Sequence, residues 1–404
     1  MIQSAIVIAS FALLPLLTGK CKINSGLAIM ICCGLIHLVA LRSLDVLWNT
    51  VVSVFTLVNI NAVVAIVLIG VLSGLMKQYG MLDDIVEPAK QLIRNRKVLM
   101  CLIPAVIGFL SVPGGALLSA PFADELGEEM AIPKPRRAAM NLTFRHVAML
   151  LSPFSTFQIY IASRIPINTY LVISLFVPFV ALLAIGSVLI YMPGEIALAP
   201  KYAGGRKKAL RRLFKGLSPI LLVLLLTGVL GLPMSVTLLG ALALVWAMGN
   251  RGDFIGSMLR NVKFDIALII LAVYFAQYTV LALSDIQSLI SGAFVQSSTA
   301  VMMAVVMGGS LFLGFITGLY YISLSVFLPI LLTVSQSAPE LPLLFFVCVW
   351  SFMGYFYSPL HLCQLLTIRH IGVGQRDVYR EHMRLAPWLV AATIALYLFY
   401  SLIF

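Results

Sequence analysis

Long apolar runs alternate with short polar stretches along nearly the whole chain. A helix needs about 20 mostly apolar residues to cross a bilayer. Runs at 2–18, 25–41, 56–76, 138–163, 167–192, 217–231, 233–249, 264–283, 343–368 and 385–404 fit that pattern and predict ten spans. Two further apolar stretches, 98–122 and 301–332, are interrupted by glycine, proline or hydroxyl residues and predict re-entrant hairpins that enter and leave on one side. Residues 81–94 set Met81, Leu82, Ile85, Val86, Ala89, Leu92 and Ile93 at helical spacing, which predicts an amphipathic helix lying on the membrane surface. Residues 254–263 give a weaker version of the same pattern. The fold class is therefore an all-α polytopic membrane protein.

Composition agrees with that pattern. Of 404 residues, 61% are apolar and 10% charged, against about 45–50% and 25% in soluble domains. The six cysteines form no disulfide framework, and their spacing shows no metal-ligand pattern. Most sit in apolar runs, where a thiol behaves as a small hydrophobe. The first charges, Lys20 and Lys22, follow the first apolar run instead of preceding it, so that run reads as a retained span and not a secretory signal.

The net charge of +12 would suggest nucleic acid in a soluble protein. Sorted by loop, it becomes an orientation signal. With the N-terminus outside, ten spans and two hairpins put 24 of the 27 Lys and Arg on the cytoplasmic side. Arg42 and Arg164 fall outside, and Arg145 falls within a span. Counting either hairpin as a full span would destroy the asymmetry. No nucleic-acid partner is needed, and both termini are expected outside a prokaryotic inner membrane. The basic run Gly204–Lys215 reads as a cytoplasmic connector near anionic headgroups.

The two halves share a hidden similarity. Shifting the chain by 206 residues pairs Gly108-Phe109-Leu110-Ser111 with Gly314-Phe315-Ile316-Thr317, Ser152-Pro153 with Ser358-Pro359, and Gln158 with Gln364. Nine identities fall between 108 and 158, and several are polar or helix-breaking residues inside apolar segments. Five spans per half is an odd number, so the second half must be inverted relative to the first. The expected organisation is a scaffold (1–97 and 217–300) and a transport domain (98–192 and 301–404), joined by the basic connector at 193–216.

Irregular backbone at mid-membrane persists only where protein or a cavity satisfies it. Ser111-Val112-Pro113-Gly114-Gly115 must break a helix, as must Pro153 and Pro359. Free N–H groups at a half-helix start suit an anion, and free carbonyls at a half-helix end suit Na⁺. The candidate substrate and ion ligands are Ser111, Pro113, Gly114, Gly115, Ser152, Ser155, Thr156, Gln158, Thr317, Gly318, Ser358, His361 and Gln364. No carboxylate sits at mid-membrane, which argues against an acidic proton relay, while His37, His146 and His361 lie within spans. Arg145, with His146, is placed to attract an anion toward Ser152-Pro153; snorkelling of Arg145 to the cytoplasmic surface is the competing reading.

Two halves, each with a hairpin and a broken span, resemble the ion-transporter superfamily, which includes the divalent-anion/sodium symporters and the citrate, gluconate and arsenite permeases. The stretch from Ser111 through Arg145-His146 to Ser152-Pro153 resembles an uncharacterised prokaryotic family within it. The resemblance implies a dimeric scaffold, a transport domain that moves as an elevator, and Na⁺ and substrate at the hairpin tips and breaks. Divalent-anion symporters carry Ser-Asn-Thr at both breaks, and this chain does not, which leaves substrate and coupling ion open. The function expected is secondary transport of a small anion, an organic carboxylate or inorganic oxyanion, coupled to Na⁺ or H⁺. A lipid or polyisoprenoid-phosphate translocase and an ion channel are the alternatives. No HExxH, GxSxG or Walker A motif is present, so no enzyme or ATP-driven pump is expected.

Overall fold

In hydrocarbon a helix satisfies its backbone polar groups internally, and apolar runs of this length have few other choices. The computed structural model describes residues 2–14, 16–109, 116–165, 167–192, 194, 205–249, 253–262, 264–284, 288, 299–334, 340–359 and 361–404. Every regular element among them is helical. In chain order they are α1 (Ile2–Ala12), α2 (Ser25–Ile36), which runs on as a wider π turn at His37–Leu41, α3 (Leu44–Val54), α4 (Leu57–Gln78) and α5 (Asp83–Leu92). Then follow α6 (Arg96–Phe109), α7 (Ala116–Glu129), α8 (Lys134–Leu151), α9 (Thr156–Ala162) and α10 (Thr169–Tyr191). The second half holds α11 (Arg206–Gly228), α12 (Met234–Met248), α13 (Phe254–Arg260) and α14 (Phe264–Leu281). It closes with α15 (Thr299–Thr317), α16 (Tyr320–Val334), α17 (Leu341–Phe356), α18 (Leu362–Ile371) and α19 (Gln375–Ile403).

Helices α4, α10 and α19 are each long and apolar enough to cross a membrane. Large apolar side chains on several elements, among them Trp48, Leu57, Leu239, Trp246, Leu398 and Leu402, face outward, where a soluble protein would place polar groups. This is an all-α membrane protein.

Side chains define many of the starts. Ser43, Thr56, Ser155 and Asn168 each accept a hydrogen bond from a first-turn backbone N–H of α3, α4, α9 and α10. The structure departs from the apolar pattern in several places; α11 and α19 start at Arg206 and Gln375, within the polar stretches ahead of their predicted spans. Helix α3 occupies a stretch between predicted spans, because at 11 residues it is apolar but too short to read as a crossing. Helix α7 runs to Glu129, beyond the predicted hairpin end at 122, because its last turns are charged instead of apolar. Those charges are paired: Asp124 with Arg137, Glu125 with Lys90, and Glu129 with Arg96. Arg136 and Arg384 both reach Glu381, and Arg212 reaches Asp84, so the end of α7 and the starts of α5, α6, α8, α11 and α19 are held by ion pairs.

The helix bounds recur along the chain. Helices α6 to α10 have counterparts in α15 to α19 at the same spacing of 206 residues found in the sequence, within a few residues at each start. Helices α2, α3 and α4 stand to α12, α13 and α14 in the same way. The packing repeats too: α2 lies on α14, and its counterpart α12 lies on α4. Trp388 Nε1 donates to the Leu182 carbonyl at 2.8 Å, a bond between residues 206 apart that joins equivalent points of α10 and α19. Tyr191 donates to the Glu381 carbonyl and Tyr400 to the Leu175 carbonyl, two acceptors that are again counterparts.

Candidate functional site

Proline and serine interrupt two helical segments at matching places. Helix α8 ends at Leu151 and α9 starts at Thr156; α17 ends at Phe356 and α18 starts at Leu362. At the first break the Ser152 hydroxyl donates to the Phe109 carbonyl of α6 at 2.5 Å. At the second, Ser358 donates to the Phe315 carbonyl of α15 at 2.6 Å. Both bonds span 43 residues, and donors and acceptors are counterparts under the same shift. Each break is thereby fastened to the first helix of its own hairpin. The helices there approach closely: a Cβ at Gly108 would overlap the Arg145 backbone carbonyl, and one at Gly314 would lie 2.7 Å from the Tyr355 nitrogen. Only glycine permits that contact without a shift of backbone.

The hairpins and breaks also cross between halves. Helix α7 packs on α18, and its counterpart α16 packs on α9. The tip of the second hairpin is a tight turn in which Gly318 has φ +67°. Thr317 secures it, donating to the Leu313 carbonyl and accepting from the Leu319 N–H at 3.2 Å. Tyr320, the first residue of α16, hydrogen-bonds Thr156 at the first break. From Tyr320 a run of rings continues to Tyr355 (centroids 5.1 Å), to His361 (4.2 Å) and to His146 (4.4 Å). Thus Thr156, the second hairpin tip, His361 and the Arg145–His146 pair form one locus between the halves. Asn141 donates to Thr367 at 3.1 Å, closing the same α8–α18 face.

Burial there is nearly complete. Ser152, Ser155, Gln158, Ser358 and His146 are fully buried, His361 and Gln364 nearly so, and Arg145 is 3% exposed. Arg145 therefore does not extend to the protein surface. Gln158 donates to the Leu150 carbonyl at 2.7 Å across the first break, and Ser155 caps α9. His146 Nε2, both ring nitrogens of His382 and Asn141 Oδ1 lack a hydrogen-bond partner among the described residues, whereas His361 has the Phe356 carbonyl, Gln364 the Tyr379 hydroxyl and Thr143 the Tyr191 hydroxyl within reach. A buried unpartnered polar atom costs about 1–3 kcal/mol, which makes this locus the candidate site for a polar ligand or ion.

Ser111, Pro113, Gly114 and Gly115, the predicted tip of the first hairpin, lie outside the described residues. His37 belongs elsewhere, sharing a 3.2 Å hydrogen bond with Thr279 between α2 and α14. Arg164 is also remote, its guanidinium 4.6 Å from the Tyr274 ring centroid and bonded to Asn59 and Tyr278. The sequence pattern missed Tyr320, Tyr355, Thr367, His382 and Cys363. Tyr320 had a signal, since it lies two residues past the Thr317-Gly318 break; the others sit in ordinary apolar or helical context. Cys363 is the most consequential, because His146, His361 and Cys363 each place a donor atom within 4.8 Å of the others. Cysteine spacing along the chain could not reveal this, since His146 belongs to the other half.

No curated protein matches the chain at a significant level. A family model described as "Protein of unknown function (DUF401)" matches residues 3–403, and the chain belongs to that family.

Proposed function

We propose that the protein is a secondary active transporter of a small anion, an organic carboxylate or inorganic oxyanion, coupled to Na⁺ or H⁺ and residing in a prokaryotic inner membrane. The observation that carries this reading is the paired construction of the two breaks, tied by Ser152 to Phe109 and by Ser358 to Phe315, with the second hairpin tip joined to the first break by Thr156 and Tyr320. Broken helices that converge from two repeats are how transporters assemble a binding site at mid-membrane.

On this reading the chain makes ten spans and two re-entrant hairpins in an inverted two-fold repeat. Charge supports the inversion. The ends of α6, α7 and α8 that meet in ion pairs carry Arg96, Glu129 and Lys134, whereas the corresponding ends in the second half carry Glu340 alone among the described residues. No Lys or Arg occurs between Lys263 and Arg369, as expected if that region faces outward. Both termini would then lie outside. The transport domain comprises α6–α10 and α15–α19, and the remaining helices form a scaffold suited to a homodimer.

The chemistry follows from the residues. Arg145 is a buried cation in a locus with no carboxylate in either break, so its field favours an anion. The start of α18 adds backbone N–H groups, and a proton taken up by His146 or His361 would turn the ring nitrogen that holds a lone pair into a further donor. A coupling Na⁺ would be held by oxygens: hydroxyls of Ser155 and Thr156 and carbonyls freed at the α8 and α17 ends. A coupling proton would ride on the imidazoles.

Purified protein in proteoliposomes tests the proposal, with radiolabelled mono- and dicarboxylates, sulfate, phosphate and arsenite assayed under imposed Na⁺ or pH gradients. Gradient-dependent, saturable uptake of at least one anion is expected. Absence of uptake across the panel in correctly oriented, folded protein would overturn it.

A further inference from the structure

Three side chains that the transport reading does not require together have the composition of a metal site. His146 comes from the middle of α8; His361 immediately precedes α18, and Cys363 lies in its first turn. Their donor atoms all lie within 4.8 Å of one another. His146 is fully buried and His361 is 2% exposed.

The hydrogen bonding prepares both rings for a metal. His146 Nδ1 donates to the Leu142 carbonyl at 2.6 Å, since a carbonyl can only accept. That fixes the tautomer with the lone pair on Nε2, and Nε2 has no hydrogen-bond partner among the described residues. Metal-bound histidines are oriented in the same way, with the other ring nitrogen donating to a carbonyl or carboxylate. His361 has the Phe356 carbonyl within reach of its ring, so one nitrogen can donate there while the other keeps its lone pair for a metal. A tetrahedral site with metal–ligand bonds of roughly 2.0–2.3 Å separates its donors by about 3.3–3.8 Å, so closure requires shifts of about 1 Å, within reach of side-chain rotation.

We propose that His146, His361 and Cys363 form a three-ligand site for a borderline-to-soft transition-metal ion of the Zn²⁺ class, bridging the two broken spans.

The donor set selects the ion. Two imidazoles and a thiolate suit Zn²⁺, Co²⁺ or copper, whereas Na⁺, Mg²⁺ and Ca²⁺ prefer oxygen. Arg145, next to His146 in the chain, opposes added positive charge. The Cys363 thiolate in the inner sphere offsets that repulsion, which a purely neutral ligand set could not do. Binding releases the thiol proton and leaves a fourth position open for water or an anion. An occupied site ties α8 to α18 and so restrains any rearrangement of the two breaks.

Co²⁺ is the probe of choice, added to the full-length protein in detergent, with Zn²⁺ as competitor. One equivalent should produce a thiolate-to-cobalt charge-transfer band together with strong visible bands of a tetrahedral site, and Zn²⁺ should bleach both. Cys363→Ser should abolish the charge-transfer band, and His361→Ala should weaken binding beyond the roughly 10–100-fold that outer-shell changes cost. His37→Ala, remote from the locus and bonded to Thr279 between α2 and α14, should leave the spectrum unchanged. Absence of the band in wild-type protein, or its persistence in Cys363→Ser, would overturn the proposal. Should a variant fail to fold, the wild-type protein gives a second measurement. Zn²⁺ at about ten times its Kd should slow maleimide labelling of Cys363 about tenfold, with exposed Cys21 as internal control. Equal labelling of Cys363 with and without Zn²⁺ would contradict the site. Either failure concerns this site alone and leaves the anion-uptake assay to decide the transport reading.

Discussion

The two breaks share a backbone plan and differ in how their polar groups are satisfied. At the first, Ser155 caps α9 and Gln158 reaches back to the Leu150 carbonyl, so the gap is closed by its own side chains. At the second, His361 stands where Ser155 stands in the first half and provides no side-chain cap for α18. Gln364, the counterpart of Gln158, does not reach back across the break; its side chain meets the half-buried Tyr379 hydroxyl of α19. The serine anchors, Ser152 and Ser358, are the same in both. One break is therefore built as a joint, and the other presents the His361 imidazole to His146. A repeat can keep its framework in both copies while ligand chemistry concentrates in one.

This contrast can be broken by substitution, and the largest effect should come from the shared framework. Gly108→Ala forces a Cβ onto the Arg145 carbonyl and should cost about 3 kcal/mol, the upper part of the overpacking range, whereas Gly314→Ala should cost about 1–2 kcal/mol. Thermal unfolding in detergent reads both, and equal, small effects would show that the two approaches are not as close as described. Next, Gln158→Ala leaves the Leu150 carbonyl unpartnered and should destabilise by about 1–2 kcal/mol, while Gln364→Ala should stay within about 0.5 kcal/mol. Equal losses from these two would erase the asymmetry between the breaks. Ser152→Ala and Ser358→Ala should each cost about 1 kcal/mol and resemble one another, because both remove one buried hydroxyl-to-carbonyl bond. The smallest change is expected for Ser155→Ala, a lost cap worth about 0.5–1 kcal/mol.

Much of this was legible in the sequence. Apolar runs located most helices, and the shared Ser-Pro and Gly-Phe pairs located both breaks and their hairpin partners. What the sequence withheld was of two kinds. Helix α3 and the charged end of α7 are stabilised by capping and ion pairs, which hydropathy does not register. The ring pathway from Tyr320 to His146, and the meeting of Cys363 with two histidines, depend on how one half lies against the other. Tyrosine and cysteine in an apolar helix look like packing until that arrangement is known. Arg145 was visible as an anomaly of charge, and its burial argues against snorkelling to the surface.

Arg145 is also where the account is most directly tested. The measurement is the initial rate of anion uptake into proteoliposomes by wild-type protein, by Arg145→Ala and by Arg164→Ala, at matched reconstitution. Truncating a buried charged partner of an anion costs about 2–5 kcal/mol, so Arg145→Ala should lower uptake at subsaturating anion by about 30-fold or more. Arg164→Ala, whose guanidinium is occupied by Asn59 and the tyrosine rings, should retain a rate close to wild type. Undiminished anion uptake by Arg145→Ala would contradict the assignment of the substrate to this locus.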